Sequence, residues 1–181
     1  MKAIVNVNEE WGIGCEGDLL EYIPEDMKFF RNETKGKTVI MGRKTLLGFP
    51  NKAPLKGRTN IVLTSSSDNI PEESKSALMS EAYMGSNTSL IVVNSVDELI
   101  RKLEELECED PYVIGGEKIY RLLLPYCEEC LVTINNSKRK ADTYFPNLFE
   151  EGFTMTNESD KHEYEGISYR FTVFERKSRL A

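Results

Sequence analysis

Apolar residues in this chain fall in short unbroken runs rather than as alternating singles. The runs at 3–7, 38–41, 60–63, 90–93, 112–114 and 131–134 each read as a strand buried on both faces. Helical patterns lie between them. The spacing predicts a helix over 24–34: Pro24 suits its first position, Glu25 and Asp26 fill its first turn, and Gly36 stops it. Ser95-Val96-Asp97-Glu98 is a capping box that opens a helix to about residue 107, and a further helix follows Gly115-Gly116 as far as Leu124. Strands separated by helices predict a mainly parallel sheet covered on both faces, hence an α/β fold of three layers. The end of the chain differs. Segments 153–156 and 169–174 are strand-like and flank the polar stretch 157–166, an antiparallel hairpin added at the sheet edge. Segment 68–88 is the least regular, a surface excursion with some helix. With no repeat, linker or low-complexity tract, 1–181 reads as one domain.

Composition narrows the function classes. Lys and Arg number 23 against 30 Asp and Glu, a net charge of -7, which argues against a nucleic-acid partner needing a basic face. No apolar run approaches the length of a membrane span. Residues 1–7 lack the apolar stretch and cleavage site of a signal peptide, so the expected compartment is the cytoplasm. The four cysteines, Cys15, Cys108, Cys127 and Cys130, are too sparse for a disulfide framework. Cys127 and Cys130 form a C-x-x-C, but it follows Leu122-Leu123-Leu124-Pro125 and enters a strand instead of opening a helix. The one histidine, His162, lies in the polar hairpin stretch, and a structural zinc site needs four ligands. No metal is expected, and the thiols read as ordinary ones.

Ligands of open α/β sheets bind beyond the carboxyl ends of the strands. Three segments occupy such places. Gly42-Arg43-Lys44-Thr45 sits where a strand turns into a helix and combines free N–H groups, two cations and a hydroxyl, a set suited to phosphate; a plain helix cap with exposed basic residues is the other reading. Thr64-Ser65 adds hydroxyls after a neighbouring strand. Gly115-Gly116 lets backbone approach a ligand closely, without being the G-x-G-x-x-G fingerprint, and is otherwise a simple turn. Asp26 stands on the edge of the apolar helix face made by Met27 and Phe30. It is either a dipole partner in a first helical turn or a desolvated acid suited to proton chemistry. Arg58, just before a strand, is either solvated or a fork for a carboxylate. Trp11-Gly12-Ile13-Gly14 reads as a mobile loop or a turn.

In order along the chain, Gly12-Ile13-Gly14, Ile23-Pro24-Glu25-Asp26-Met27-Lys28-Phe29-Phe30, Val39-Ile40-Met41-Gly42-Arg43-Lys44-Thr45, Gly57-Arg58-Thr59-Asn60-Ile61-Val62-Leu63-Thr64, Val113-Ile114-Gly115-Gly116 with Tyr120, and Asp142-Thr143-Tyr144-Phe145-Pro146 resemble dihydrofolate reductase. The resemblance implies a central eight-stranded, mostly parallel sheet with an antiparallel C-terminal edge strand and about four flanking helices. It implies NADPH as cofactor, dihydrofolate as substrate, antifolates as inhibitors and a monomer. Asp26 matches the single acid of the pterin pocket and Thr133 its hydroxyl partner. Ile4 and Ile114 match carbonyl positions at the pterin. Met27, Phe30, Phe49 and Leu55 match ring-packing positions, and Arg58 matches the residue that binds the glutamate tail. The implied cofactor set is Asn6, Ile13, Gly14, Gly17, Asp18 and Leu19, then Gly42, Arg43, Lys44 and Thr45, then Leu63, Thr64 and Ser65, then Ile114, Gly115, Gly116, Glu117, Lys118, Ile119 and Tyr120. Within it, Arg43, Thr64 and Ser65 match the group around the 2′-phosphate, and Thr45 with the turn from Gly115 to Tyr120 matches the pyrophosphate and ribose site. The glycine pair matches one joined by a cis peptide, and segment 8–22 matches the lid.

The chain departs from the family pattern in three places. Leu19-Leu20-Glu21-Tyr22 replaces the usual Leu-Pro-Trp, so that Glu21 stands where a water-holding Trp is common. Asn6 stands where a small apolar residue is usual, and the 68–88 excursion is long. Two rival readings are a same-fold reductase of another heterocycle, which need not keep Asp26 together with Arg58, and a non-catalytic nucleotide-binding module, which has no use for an acid on an apolar face.

Overall fold

In a computed structural model that describes residues 1–66 and 69–178, the apolar runs become strands at almost the expected bounds. In chain order the elements are β1 (Lys2–Asn8), β2 (Gly12–Cys15), β3 (Asp18–Leu19), α1 (Pro24–Thr34), β4 (Thr38–Gly42), α2 (Arg43–Gly48), β5 (Thr59–Leu63), α3 (Glu72–Ser76), β6 (Ser89–Val93), α4 (Val96–Glu105), β7 (Tyr112–Gly115), α5 (Glu117–Leu123), β8 (Glu129–Asn135), β9 (Thr143–Tyr144), β10 (Phe153–Glu158), β11 (His162–Tyr164) and β12 (Ile167–Arg176). Ser67 and Asp68, the end of the expected turn after β5 and the start of the excursion, lie outside the described residues. The chain forms two compact units, Met1–Arg31 with Tyr120–Ala181, and Asn32–Ile119.

In the first unit the strands run in the order β10-β12-β8-β1. β1 and β8 are parallel, with Ile4 opposite Leu131 and Asn6 opposite Thr133. β12 is antiparallel to β8 and β10 antiparallel to β12, which is the expected C-terminal hairpin. The stretch between them contains one further strand: β11 pairs with β12, so His162 faces Tyr169 across the ladder. Phe145, Leu148, Phe153 and Phe174 are all buried in this unit, and Trp11 packs against Phe145, Phe149 and Phe174 with ring centroids 6.0–6.4 Å away.

Segment 8–22 is more ordered than a loop. Its β2 pairs with β3 on one side and β9 on the other, a small antiparallel sheet. Gly12 and Gly14 answer a demand for space, and Gly17 adopts a positive φ of 87° in open surroundings. A Cβ on Gly12 would lie 2.6 Å from the Ala141 Cβ, and one on Gly14 would lie 2.7 Å from the Asp18 carbonyl oxygen.

The second unit holds four parallel strands in the order β7-β4-β5-β6. Val39, Ile40, Met41, Ile61 and Val62 are fully buried, as expected of strands covered on both faces. α4 begins on the expected cap, the Ser95 side chain accepting the Glu98 N–H at 3.1 Å. The Glu98 carboxylate reaches one residue further back than in a standard box, to the Asn94 N–H at 2.7 Å. Residues 69–88 carry α3 and two short 3₁₀ turns, the surface excursion with some helix. Counting β1, β4–β8, β10 and β12, the described residues carry eight principal strands, with five α-helices.

Candidate active site

The acid in the first unit is built by three elements. α1 places Asp26 in its first turn with the side chain turned inward, 9% exposed, while its neighbour Glu25 is exposed. β8 supplies Thr133, whose Oγ1 donates to Asp26 Oδ1 at 2.5 Å. β1 supplies Asn6, opposite Thr133 in the ladder and on the same side of the sheet. Burial pushes the Asp26 carboxyl above its ordinary range; the polar side chains of Thr133 and Asn6 oppose that shift without cancelling it. Of the two readings open in the sequence, the desolvated acid is the one this environment matches. Met27 and Phe30 are half-buried on the same helix.

Ile4 is buried, and its carbonyl accepts the Tyr120 hydroxyl at 2.7 Å. The Tyr120 hydroxyl is thus held on β1, and burial raises its pKa strongly. The side chain of Asn6 faces Asp26 and accepts from the amide of Asn135 at 2.8 Å. Ile13 and Gly14 lie in β2, Gly17 is exposed at the β2–β3 turn, and Asp18 and Leu19 are exposed in β3.

The phosphate-type set lies in the second unit. Gly42 caps α2 without any side-chain bond to the helix N–H groups, and Arg43, Lys44 and Thr45 form its first turn. Gly42 is tightly placed, because a Cβ there would meet Ile119 Cγ1 at 3.0 Å. Gly115-Gly116 is joined by a cis peptide, as the resemblance implied, and a Cβ on Gly116 would lie 3.6 Å from Thr45 Oγ1. Thr45 and the glycine pair are therefore neighbours. Thr64 and Ser65 follow β5 as a half-buried and an exposed hydroxyl; the Thr64 N–H donates to the Val93 carbonyl at 3.0 Å, and Leu63 beneath them is buried. Lys44 and Lys118 are exposed, Ile114 and Glu117 half-buried. Cations, hydroxyls and uncapped N–H groups are a donor set that fits a phosphate-bearing cofactor.

Two residues that sequence reasoning passed over shape this unit. Asn60 is fully buried; it accepts the Leu55 N–H at 2.8 Å and donates to the Leu55 carbonyl at 2.9 Å, clipping the segment that carries Leu55. Thr34, also fully buried, accepts from Arg58 Nε at 3.3 Å, while Arg58 Nη1 donates to the Lys56 carbonyl at 2.7 Å. Arg58 is 8% exposed and firmly aimed, which removes the reading of a solvated arginine. Phe49 is half-buried beyond α2. The four cysteines are free; Cys127 and Cys130 are buried, burial pushing the Cys127 thiol up to about 12, so these are unreactive core thiols. Among the described residues no cluster of His, Cys, Asp and Glu has the geometry of a metal site, and no helix is long and apolar enough to cross a membrane.

A carboxyl suited to proton chemistry and a phosphate-type donor set are groups that a nucleotide-dependent enzyme of α/β architecture uses, and comparison with known proteins defines the class. The family model described as dihydrofolate reductase matches residues 1–176. Dihydrofolate reductases of Mycobacterium tuberculosis and Heliothis virescens are 33% and 32% identical over 168 and 183 residues, covering 91% and 93% of this chain and 90% and 92% of theirs. A solved dihydrofolate reductase from Enterococcus faecalis, complexed with NADP(H) and RAB-propyl, is similar at a TM-score of 0.78 and 27% identity, over 98% of this chain and 96% of that one. The chain belongs to the dihydrofolate reductase family. Its fold class is the mixed eight-stranded α/β sheet of that family.

The raised pKa of Asp26 has a consequence for stability. The fold holds the proton more tightly than the unfolded chain does, so the stabilisation is complete below the unfolded value of about 3.9 and is lost as pH rises through the folded pKa. Asp26→Asn, which cannot ionise, is therefore expected to unfold at a higher temperature than the native chain at pH 8, with the gap closing towards pH 4. Thermal melts across that range check it; an equal or lower midpoint at pH 8 contradicts the buried-acid account.

Proposed function

We propose that this chain reduces 7,8-dihydrofolate to 5,6,7,8-tetrahydrofolate with NADPH, supplying one-carbon metabolism, and that residues 1–181 act as one reductase domain. The observation that carries the reading is the buried Asp26 carboxyl, bonded to Thr133 and held above its ordinary pKa, in a chain matched to the family over residues 1–176.

Each residue has a role in this reading. In the first unit, Asp26 and Thr133 orient the pterin by its amide side, the Ile4 carbonyl lies at its edge, and Met27 and Phe30 pack its rings. In the second, Phe49 and Leu55 pack the benzoyl ring, the Ile114 carbonyl lies at the pterin, and Arg58 grips the α-carboxylate of the glutamate tail. Arg43, Thr64 and Ser65 hold the 2′-phosphate; Gly42, Thr45, Gly115 and Gly116 hold the pyrophosphate by N–H and hydroxyl donation, with Lys44 and Lys118 adding positive charge. Ile13, Gly14, Gly17, Asp18 and Leu19 cover the nicotinamide as part of the lid. NADPH, when bound, supplies the hydride that adds to C6. Asp26 sets the electrostatics under which N5 takes its proton from water, and the chain otherwise works by positioning and by excluding water. The protein acts as a monomer, and antifolates compete with its substrate. Its four free cysteines fit a reducing, cytoplasmic compartment.

Loss of absorbance at 340 nm with dihydrofolate tests the reaction. Turnover with NADPH far above that with NADH is expected, because Arg43, Thr64 and Ser65 are assigned to the 2′-phosphate. A folded protein that binds NADPH but leaves dihydrofolate unreduced would instead be a reductase of another heterocycle. Arg58→Lys keeps the charge but loses the planar fork. It is expected to raise the KM for dihydrofolate about tenfold, on the scale of a lost charge-assisted bond, and to leave a pterin without the glutamate tail nearly unaffected. Equal effects on both would remove Arg58 from the tail site.

A further inference from the structure

Two of the three departures from the family pattern, Asn6 and Glu21, meet in one hydrogen-bond chain. Asn6 Oδ1 accepts from Asn135 Nδ2 at 2.8 Å. Asn135 Oδ1 accepts the Ser137 N–H at 2.9 Å. The Ser137 hydroxyl donates to Glu21 Oε1 at 2.5 Å and accepts the Arg139 N–H at 3.2 Å. Arg139 Nη1 closes the end of the chain on the Leu20 carbonyl at 2.6 Å. Asn135 and Ser137 are 2% and 5% exposed, so the bond between them is made away from water, while the bonds to Asn6, Glu21 and Arg139 are half-buried.

The order of donors fixes how every amide is turned. A Ser137 N–H can only donate, so Asn135 presents its oxygen to Ser137 and its NH2 to Asn6. Asn6 must then present its oxygen to Asn135, which leaves its NH2 as the end that faces Asp26. We propose that Asn6 is a positioning residue for Asp26: it donates to the carboxylate in an orientation locked by Asn135, which is locked in turn by the Ser137 backbone, with Glu21 anchoring the far end. The chain is a lock and not a proton wire, since amide groups and a backbone N–H interrupt any relay of hydroxyls. Asp26 thereby gains a second donor beside Thr133, from the strand position directly opposite Thr133 in the ladder. The titratable groups around Asp26 are Glu25 beside it on α1, Tyr120 from α5 and Tyr169 from β12, and behind them His162 of β11, stacked on Tyr169 and 3.9 Å from Glu25; β1 and β8 contribute Asn6 and Thr133, which do not titrate.

The inference deepens the reading of Asp26 given above, and its test needs no turnover. Carboxyl carbon-13 chemical shifts of the ligand-free protein, labelled in aspartate and assigned by the resonance lost in Asp26→Asn, report the Asp26 titration directly. A donor to the charged form lowers a carboxyl pKa, so its removal raises it. Asn6→Ala is expected to move the titration up by about one pH unit, the scale of one bond to a charged group. Asn135→Ala, which leaves Asn6 in place but unlocked, is expected to move it the same way by roughly half as much. Glu21→Gln keeps an acceptor for Ser137 and is expected to leave it unmoved. An unshifted titration in Asn6→Ala overturns the proposal, as does a shift in Glu21→Gln as large as that in Asn6→Ala, which would mark long-range charge instead of a lock. If Asn6→Ala does not fold, Asn135→Ala decides: an upward shift supports the lock, and none overturns it.

Discussion

The constraint on which the candidate site depends is the burial of one carboxyl group. An isolated ionised aspartate is costly to take out of water, and the cost falls only if donors are waiting for it. The first unit meets that condition with strand register. β1 and β8 run parallel with Asn6 opposite Thr133, so two side chains from neighbouring strands point at the turn of α1 that carries Asp26. The donors do not fully offset the desolvation, and the acid stays easier to protonate than a free aspartate. That residual imbalance is what suits it to proton chemistry near neutrality.

Around this acid, polar groups are spent locking other polar groups. Tyr120 is tied to the Ile4 carbonyl, Tyr169 is bonded to Glu25, and the amides of Asn6 and Asn135 hold each other. In the second unit Asn60 and Thr34 fix Leu55 and Arg58 in the same manner. Preorganisation of this kind is how a catalyst that works by positioning acquires its geometry before the ligand arrives. The glycines belong to the same economy of space, since at Gly12, Gly14 and Gly42 a single methyl group would collide with what is already there.

Much of this was legible in the sequence, and what was not has physical reasons. The helix expected over 24–34 is α1, and the six apolar runs are β1, β4, β5, β6, β7 and β8, because runs of that kind fit little except strands buried on both faces. β2, β3 and β9 left no such signal. They are only two to four residues long, β2 is half glycine, and β2 pairs with β9 across more than a hundred residues of chain, so the tertiary fold and not the local pattern creates them. β11 is polar and half-exposed and looked like the tip of a hairpin. In the site, the pairing of Asp26 with Thr133 could be named from motif positions alone. Asn6 and Glu21 stood out only as departures from the family pattern, and Asn135 and Ser137 not at all, because their connection exists only once the fold brings them together. The polar run Asn135-Asn136-Ser137, directly after a buried strand, was the available signal.

The central claim is that Asp26 is the ionisable group that governs the reaction. Its most direct test is the pH dependence of the hydride-transfer step, followed in single turnovers with deuterated NADPH from pH 5 to pH 9, in the native chain and in Asp26→Asn. The account predicts an ionisation in the native profile above the ordinary aspartate range, absent from the variant, whose rate is lower by about two orders of magnitude near neutrality. The same ionisation at the same pH in both proteins, or an undiminished rate in the variant, would contradict it.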